Sequence, residues 1–438
     1  MEKLIIIDAL MSGCFKIISR SKRQGTAAQS WCWITCVGLM FSGYAMADES
    51  ASAVAVEKLR ADLDAKPAAS ILSSEYAKTR LTRDDARKAR DLLFQHHADV
   101  IRQERSEEMQ AGRLKEGDLQ MPFTIREFGK QPKSGHSIWI SLHGGGGAAK
   151  QVNDGQWENQ KRLYVLEKGY YVVPRAPTDN WNLWHEAHID RLFARLIENL
   201  VILNQADPDR VYVMGYSAGG DGVYQLAPRM ADFWAAAAMM AGHPNDASPL
   251  GLRNVPFALQ VGGKDTAYNR HQVAAEWGEK LEQLHRADSA GYVHLLKIHP
   301  NKGHWMDLED KIAIPWMAKF QRNPIPPRVV WKQSSVTHDS CYWLAVSPGH
   351  AQAGSVVSAN RERQTIEITE TVGVTELVIR LDDRMLDLEQ PVKVTFKEQV
   401  LFAGVVPRTI ETLQRTLMVR GDAKLMFDGE VTVTLPGP

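Results

Sequence analysis

The feature that most constrains the fold of this chain is a short apolar run that ends in a serine flanked by glycines. Residues 211–214 read Val-Tyr-Val-Met, and Gly215, Ser217 and Gly219 follow at alternate positions. Such a run is too short for a helix and rich in β-branched and aromatic residues, so it predicts a buried strand. Gly-x-Ser-x-Gly after a strand is typical of a strained turn that exposes a reactive serine. The motif alone also fits an ordinary glycine-rich turn, so the flanking sequence must decide between the two.

Strand and helix signals alternate on both sides of this turn. This β-α alternation predicts an α/β fold, with an open, mostly parallel sheet and helices on both of its faces. Strands are predicted at 123–128, 137–142, 170–173, 211–214, 235–240, 257–261 and 292–298, and helices at about 188–203 and 272–284, with a last helix ending near 320.

Changes in composition divide the rest of the chain. Residues 48–119 are rich in Ala, Arg, Asp and Glu, with apolar residues at helical spacing, and predict a helical extension before the α/β domain at 120–322 that contains Ser217. A proline-dense break follows at 323–328. Residues 326–438 then show short alternating runs separated by Asp, Gly and Pro. This pattern predicts a C-terminal all-β domain, most simply an antiparallel sandwich.

The first 47 residues have the features of a secretory leader. Basic residues precede a mostly apolar stretch at 31–41, and Ala45-Met46-Ala47 forms a small-x-small cleavage site. The lead-in is long, so Met11 is an alternative start to Met1. A retained membrane anchor is the competing interpretation, but the stretch is shorter than the roughly 20 residues a span needs. We therefore predict a secreted or periplasmic protein with no stable membrane span after cleavage.

Charge and cysteine content exclude several kinds of partner. Basic and acidic residues are equal at 52 each, which gives no basic surface for nucleic acid. Three of the four cysteines lie within residues 1–47, so Cys341 is alone after cleavage and no intrachain disulfide can form. A single cysteine also argues against a thiolate metal site. We expect neither a metal nor an organic cofactor.

A serine nucleophile needs a base and an orienting acid, which in a doubly wound hydrolase follow it in the order Ser, Asp, His. Asp265 comes just after the predicted strand 257–261, where such folds keep their sites, and His304 lies in a loop behind Gly303. Asp246 could replace Asp265, and His299 could replace His304. Asp307 and Asp310 come after the histidine, which is the wrong order.

The oxyanion formed when a serine attacks a carbonyl needs preorganised N–H donors. The residue after the nucleophile, Ala218, can supply one, and the loop after Leu142 can supply another. That loop reads His143 followed by four glycines, whose backbone can turn N–H groups toward a substrate oxygen. A phosphate cradle is the alternative, but Lys150 lacks the glycine before it and the Ser/Thr after it that such a loop requires.

Three stretches of the chain resemble a known family. Residues 143–147, 207–220 and 303–306 are similar to the secreted α/β-hydrolases of the polyhydroxybutyrate depolymerase, feruloyl esterase and dienelactone hydrolase-like group. The resemblance covers about residues 120–322. Its motifs are specific to the fold and to serine hydrolysis and leave the substrate open.

This resemblance implies an α/β-hydrolase fold and a set of functional residues. The dienelactone hydrolases use a cysteine nucleophile, whereas this chain has a serine, which favours ester hydrolysis through a serine acyl-enzyme. The implied residues are Ser217 as nucleophile, Asp265 and His304 as its partners, and Gly144, Gly145 and Ala218 as oxyanion donors.

Tryptophans in the loops after the early strands suggest an aromatic or sugar-bearing substrate, because indole rings offer a stacking face and an N–H donor. They could equally pack in the core. The substrate-binding candidates are Trp157, Trp181, Trp184 and Trp305.

The sequence therefore predicts a serine esterase acting on a small-molecule or polymeric carboxylic ester. A serine peptidase of prolyl-oligopeptidase type shares the fold and the order of residues and stays an alternative. A non-catalytic polymer- or carbohydrate-binding protein, making its contacts through the C-terminal domain, is the third. The task of that domain is left open between a lid over the pocket and a grip on a polymer.

Overall fold

The computed structural model describes residues 49–65 and 68–436, so the predicted leader lies outside the described residues. At its centre is an eight-stranded sheet. Its strands are β1 (Arg113–Glu116), β2 (Leu119–Phe128), β3 (Ile138–Leu142), β4 (Gly169–Pro174), β5 (Val211–Tyr216), β6 (Ala236–Met240), β7 (Phe257–Gly262) and β8 (His294–His299). Their order in the sheet is β1-β2-β4-β3-β5-β6-β7-β8. β2 pairs antiparallel with both β1 and β4, and the six strands from β4 to β8 in this order are parallel.

Alternate residues of the buried strands enter two separate cores, one on each face of this sheet. In β3, Ile138 and Ile140 pack into the first core and Trp139 into the second. Helices α4 (Ala187–Leu203), α5 (Ala218–Arg229) and α6 (Arg270–Ala287) cover the first face, and α3 (Lys150–Leu163) and α7 (Ala313–Met317) cover the second. This arrangement confirms the predicted α/β-hydrolase fold.

Two helices precede the sheet, α1 at 49–65 and α2 at Arg83–Gln110, with short 3₁₀ segments at Ala68–Ser73 and Glu75–Lys78. The hydroxyl of Thr82 accepts a hydrogen bond from the N–H of Asp85 and caps α2. The sheet begins inside the stretch predicted as helical extension, because β1 and β2 form a hairpin around Gly117, whose φ is +56°. Leu114 of β1 is fully buried in the first core.

Two further sheets lie in the described part of residues 326–438, which extends to residue 436. Their strands are β9 (Arg328–Lys332), β10 (Ser340–Cys341), β11 (Leu344–Ala345), β12 (Val356–Glu362), β13 (Thr365–Val372), β14 (Glu376–Leu381), β15 (Val392–Phe396), β16 (Gln399–Gly404) and β17 (Gly429–Thr434). One sheet has the order β10-β11-β14-β17 and the other β16-β15-β13-β12-β9. The second sheet is not wholly antiparallel, as an antiparallel sandwich would be, because β13 and β15 pair parallel.

This region also holds a helix that the strand pattern did not predict, α8 at Ile410–Arg420. The Thr409 hydroxyl caps its start by accepting from the N–H of Thr412, and Gly421 ends it in the left-handed conformation. Its apolar residues pack against α1 and α2 in a core shared by the two ends of the chain. The helices predicted as an extension therefore pack against α8, and α2 also packs against α4 through Ala98, Ile101 and Ile202.

Polar contacts fix the same junction. Arg90 of α2 donates to the carbonyl of Met426 and pairs with Asp428 at 2.8 Å. The N–H of Leu81 donates to the carbonyl of Arg408, a fully buried arginine. None of the helices in the described part of the chain is long and apolar enough to cross a membrane.

Candidate active site

Ser217 stands at a strained turn between β5 and α5. Its φ of +58° and ψ of −122° are rare for a residue with a side chain. A Cβ on Gly215 would lie 2.3 Å from the carbonyl oxygen of Gly219, and one on Gly219 would lie 2.2 Å from that of Leu142. Both glycines are therefore required for the sharp turn that lifts Ser217 above the edge of the sheet.

The structure brings the three predicted residues Ser217, His304 and Asp265 together. The Nε2 atom of His304 lies 2.9 Å from Ser217 Oγ, and its Nδ1 lies 2.8 Å from a carboxylate oxygen of Asp265. Asp265 follows β7 and is buried, and the guanidinium of Arg270 lies 3.7 Å from its other oxygen. An imidazole held this way can accept the serine proton while its own Nδ1–H is oriented by the carboxylate.

The rival residues are engaged elsewhere. Asp246 accepts a hydrogen bond from the amide of Gln225. His299 is buried, with Nδ1 3.0 Å from Glu309 and Nε2 2.9 Å from Gln260. Asp246 and His299 thus make these hydrogen bonds with residues other than Ser217, His304 and Asp265.

Tyr216, directly before the serine, holds the loop that carries the histidine. Its hydroxyl donates to the carbonyl of His304 at 2.7 Å and accepts from the N–H of Met306 at 2.9 Å. Burial raises the pKa of Tyr216 far above its usual value, so the phenol stays protonated and can make both bonds. Nothing in the local sequence distinguishes this tyrosine from an ordinary strand residue, and we did not predict its role.

The glycine loop approaches the serine closely. A Cβ on Gly144 would lie 3.2 Å from the Cβ of Ser217. Gly145 and Gly146 have φ values of +108° and +79°, which residues with side chains rarely adopt. Ala218 is the first residue of α5, and the N–H groups of a first helical turn have no partner within the helix. The predicted oxyanion donors Gly144, Gly145 and Ala218 thus lie in the loop and the turn around Ser217.

A buried asparagine supports this loop. Asn153 of α3 is fully buried, and its side-chain oxygen accepts from the N–H of Gly146 at 2.9 Å. Its amide group donates to Asp179 at 2.9 Å, and Asp179 also pairs with Arg175. The N–H of Gly146 is therefore occupied, which leaves the earlier glycines to face a substrate oxygen.

His143 holds the start of the loop in a defined tautomer. The N–H of Ala176 donates to its Nε2 at 3.2 Å, so Nδ1 carries the proton and donates to the carbonyl of Gly144 at 2.6 Å. Burial lowers the pKa of His143 to about 4, which keeps the ring neutral. The ring thereby fixes the peptide plane of Gly144 from behind the loop.

The serine opens into a cleft of about 680 Å³. Of the four tryptophans proposed to bind substrate, Trp305 lines this cleft, and its ring lies 5.6 Å from that of Tyr216. Trp181 is exposed over Gly147 and packs edge-on against His185, beside the glycine loop and not in the cleft wall.

Trp157 and Trp184 correct the prediction of substrate contacts. Trp184 is fully buried, and its indole N–H donates to the carbonyl of His143. The indole of Trp157 donates to the carbonyl of Val173 and packs in the second core, under the ammonium of Lys161. Both rings stabilise the elements that carry the site, because apolar area and a donor suit the core as well as a ligand.

The cleft wall comes largely from helix α3, a stretch that we treated as a loop. Gln156, Asn159, Gln160 and Leu163 face the cleft at the i, i+3, i+4 and i+7 spacing of one helical face. That spacing is a signal in the sequence, although the polar composition of the helix hides it. None of the residues lining the cleft comes from the described part of residues 326–438.

The comparisons with known proteins agree with the resemblance seen in the motifs. No protein-family model matches the chain. Feruloyl esterase B of Thermothelomyces thermophilus is 24% identical over 192 residues, which cover 42% of this chain. The match spans 62% of the length of that relative. The chain is thus similar to the feruloyl esterase group, as predicted.

Two solved structures, of a depolymerase and a carboxylesterase, match about half of this chain. The LpqC poly(3-hydroxybutyrate) depolymerase of Bordetella parapertussis is 17% identical, with 52% of this chain and 96% of that chain covered and a TM-score of 0.37. A carboxylesterase of Mesorhizobium loti is 16% identical, with 47% and 99% covered and a TM-score of 0.34.

Proposed function

We propose that this protein is a serine hydrolase that cleaves carboxylic esters through an acyl-enzyme. The observation that carries the proposal is the unbroken chain of contacts from Ser217 to His304 to Asp265, at 2.9 and 2.8 Å, on a turn with a strained serine. A serine held only for packing needs neither this backbone strain nor an aligned imidazole and buried carboxylate.

The first half-reaction forms the acyl-enzyme. His304 Nε2 takes the proton of Ser217 Oγ as the oxygen attacks the ester carbonyl, and the buried carboxylate of Asp265 stabilises the imidazolium. The N–H groups of Gly144, Gly145 and Ala218 are the proposed donors to the oxyanion. His304 then gives the proton to the leaving alkoxide, and the alcohol departs.

The second half-reaction releases the acid. Water takes the place of the alcohol, His304 accepts one of its protons, and the resulting hydroxide attacks the acyl carbonyl. Collapse of the second oxyanion returns the proton to Ser217. None of these steps calls for a group beyond the chain and water.

We propose an ester with an aromatic or apolar arm as substrate, either a small molecule or part of a polymer. Trp305 offers a stacking face in the cleft, and Gln156 and Asn159 offer amide donors and acceptors on the facing helix. A panel of acetyl, feruloyl and hydroxyalkanoate esters tests this proposal. Comparable turnover of all three esters would exclude a preference for an aromatic substrate.

A serine peptidase remains the second enzyme class, because the same triad also cleaves amides. Amide cleavage requires stronger protonation of the leaving group. Parallel assays on matched acyl esters and aminoacyl amides separate the two classes. Hydrolysis of the amides with little turnover of the esters contradicts the esterase proposal.

The third hypothesis, an inert binding protein, is less well supported, because Ser217, His304 and Asp265 stand at hydrogen-bonding distances and the serine is strained. It predicts polymer binding without turnover. We further propose, from the leader-like pattern of residues 1–47, that the protein acts in the periplasm or outside the cell. Fractionation of cells expressing the full chain tests the location.

A further inference from the structure

A second cavity of about 660 Å³ adjoins the catalytic cleft. Leu163 and Leu308 line both cavities, so the two spaces meet at this pair of leucines. Leu163 ends helix α3, and Leu308 belongs to the loop that carries His304. The cavity therefore borders the catalytic cleft into which Ser217 opens.

The cavity is a groove along one face of the sheet. Its floor is the stacked pair of Trp139 in β3 and Tyr212 in β5, with ring centroids 4.1 Å apart. One wall is the segment 163–166 after α3, and the other is the segment 308–315 leading into α7. Ser137 directly before β3, Trp139 of β3 and Tyr212 of β5 line this floor, so the groove crosses two neighbouring strands.

The groove walls are mostly apolar next to the catalytic cleft, with Tyr164 and Lys311 among their residues, and the far end is polar. The apolar wall residues are Leu163, Val165, Leu308, Ile312, Ile314 and Pro315. Ser134, Ser137, Lys168 and Arg210 line the opposite end. Val165 and Ile312 are 70% and 42% exposed, which is unusual for aliphatic side chains facing each other across a groove.

We infer that this groove binds an extended aliphatic acyl chain of the substrate; the inference rests on the proposed esterase function. The acyl chain stays attached to Ser217 through both half-reactions, so apolar contacts along the groove stabilise it throughout. The alcohol must depart before water enters, and the side chain of His304, 44% exposed, leaves an open route for that exchange. A groove that held the alcohol would instead retain the first product.

The test compares p-nitrophenyl decanoate with p-nitrophenyl acetate, because the leaving group is the same in both. Each buried methylene contributes up to about fourfold to binding. We expect kcat/KM to be at least about tenfold higher for the decanoate. The proposal further predicts that Val165→Asp and Ile312→Asp each lower this ratio by about fivefold or more. A charge in the groove wall must be desolvated when the chain binds.

Val152→Asp is the matched control, since Val152 is 50% exposed on α3 and lies outside the groove lining. It should leave the decanoate-to-acetate ratio unchanged. Equal ratios in Val152→Asp, Val165→Asp and Ile312→Asp overturn the inference. So does a preference for decyl acetate over ethyl acetate without one for decanoate, since the groove would then hold the alcohol.

The assay with p-nitrophenyl acetate tests the proposed esterase function separately from the role of the groove. Turnover of acetate with no gain for decanoate contradicts the groove assignment and leaves the esterase proposal intact. Absence of acetate turnover together with absence of decanoate turnover contradicts both.

Discussion

The phenol of Tyr216 fixes the position of His304 through the backbone of the histidine loop. It donates to the carbonyl of His304 at 2.7 Å and accepts from the N–H of Met306 at 2.9 Å. Tyr216 directly precedes Ser217, so the end of β5 positions both the proposed nucleophile and, through these two hydrogen bonds, the loop that carries His304.

Tyr216→Phe should therefore lower kcat about tenfold with little change in KM, since the loop loses two hydrogen bonds while the cleft keeps its shape. Steady-state kinetics on a short ester measure this. Tyr224→Phe is the matched control, because the buried hydroxyl of Tyr224 has no hydrogen-bond partner among the described residues. Equal kinetic losses in the two variants would show that Tyr216 acts only by packing.

Asn153→Ala should lower kcat by about tenfold or more, because the N–H of Gly146 loses its acceptor and the glycine loop is no longer held in position beside Ser217. The KM for a short ester should change little. The thermal midpoint should fall modestly, since the amide of Asn153 also bonds to Asp179. An unchanged kcat would mean that the loop holds its shape without this support.

His143 should make the protein less stable in acid. Its pKa is about 4 in the folded state against an ordinary value of 6.5, so the unfolded chain binds this proton more readily. The stabilising contribution is complete above pH 6.5 and is lost as the pH falls toward 4, by roughly 3 kcal/mol in all. His143→Gln should show a flatter dependence of unfolding free energy on pH across that window, measured by urea denaturation. Parallel curves for the two proteins would contradict the assignment.

Leu59→Ala should destabilise the protein by about 2–5 kcal/mol, because Leu59 is fully buried in the core that α1 and α2 share with α8. Urea denaturation measures the loss. Activity per folded molecule at low temperature should stay near that of the native protein, since the core is separate from the sheet cores around Ser217. A urea midpoint equal to that of the native protein would mean that the packing of these helices does not contribute to the stability of the fold.

The order of Ser217, Asp265 and His304 could be predicted because each follows a strong strand signal. Parallel strands bring their carboxyl ends to one edge of the sheet, so residues far apart in sequence meet there. The glycine spacing around Ser217 could be anticipated for the same local reason, since Cβ atoms there would strike backbone.

Features that depend on tertiary packing were harder to predict. Helix α3 is polar and contains Gly155, so its amphipathic face is weak, and Trp157 was taken for a loop residue. An indole ring can pack in a protein core or against a substrate, so the residue type alone could not predict that Trp184 is buried. Helix α8 carried signals that the strand pattern around it obscured, namely the cap Thr409 and the terminal Gly421. The clamp by Tyr216 depends on the position of a loop some 90 residues away.

The central claim is that Ser217 is the nucleophile of an ester hydrolase. Labelling of the folded protein with a fluorophosphonate, followed by peptide mass spectrometry, tests it most directly. We expect one adduct, on Ser217, loss of p-nitrophenyl acetate turnover in step with labelling, and neither labelling nor turnover in Ser217→Ala at an unchanged melting temperature. Turnover that persists in Ser217→Ala, or an adduct on another residue with Ser217 unmodified, would contradict the account.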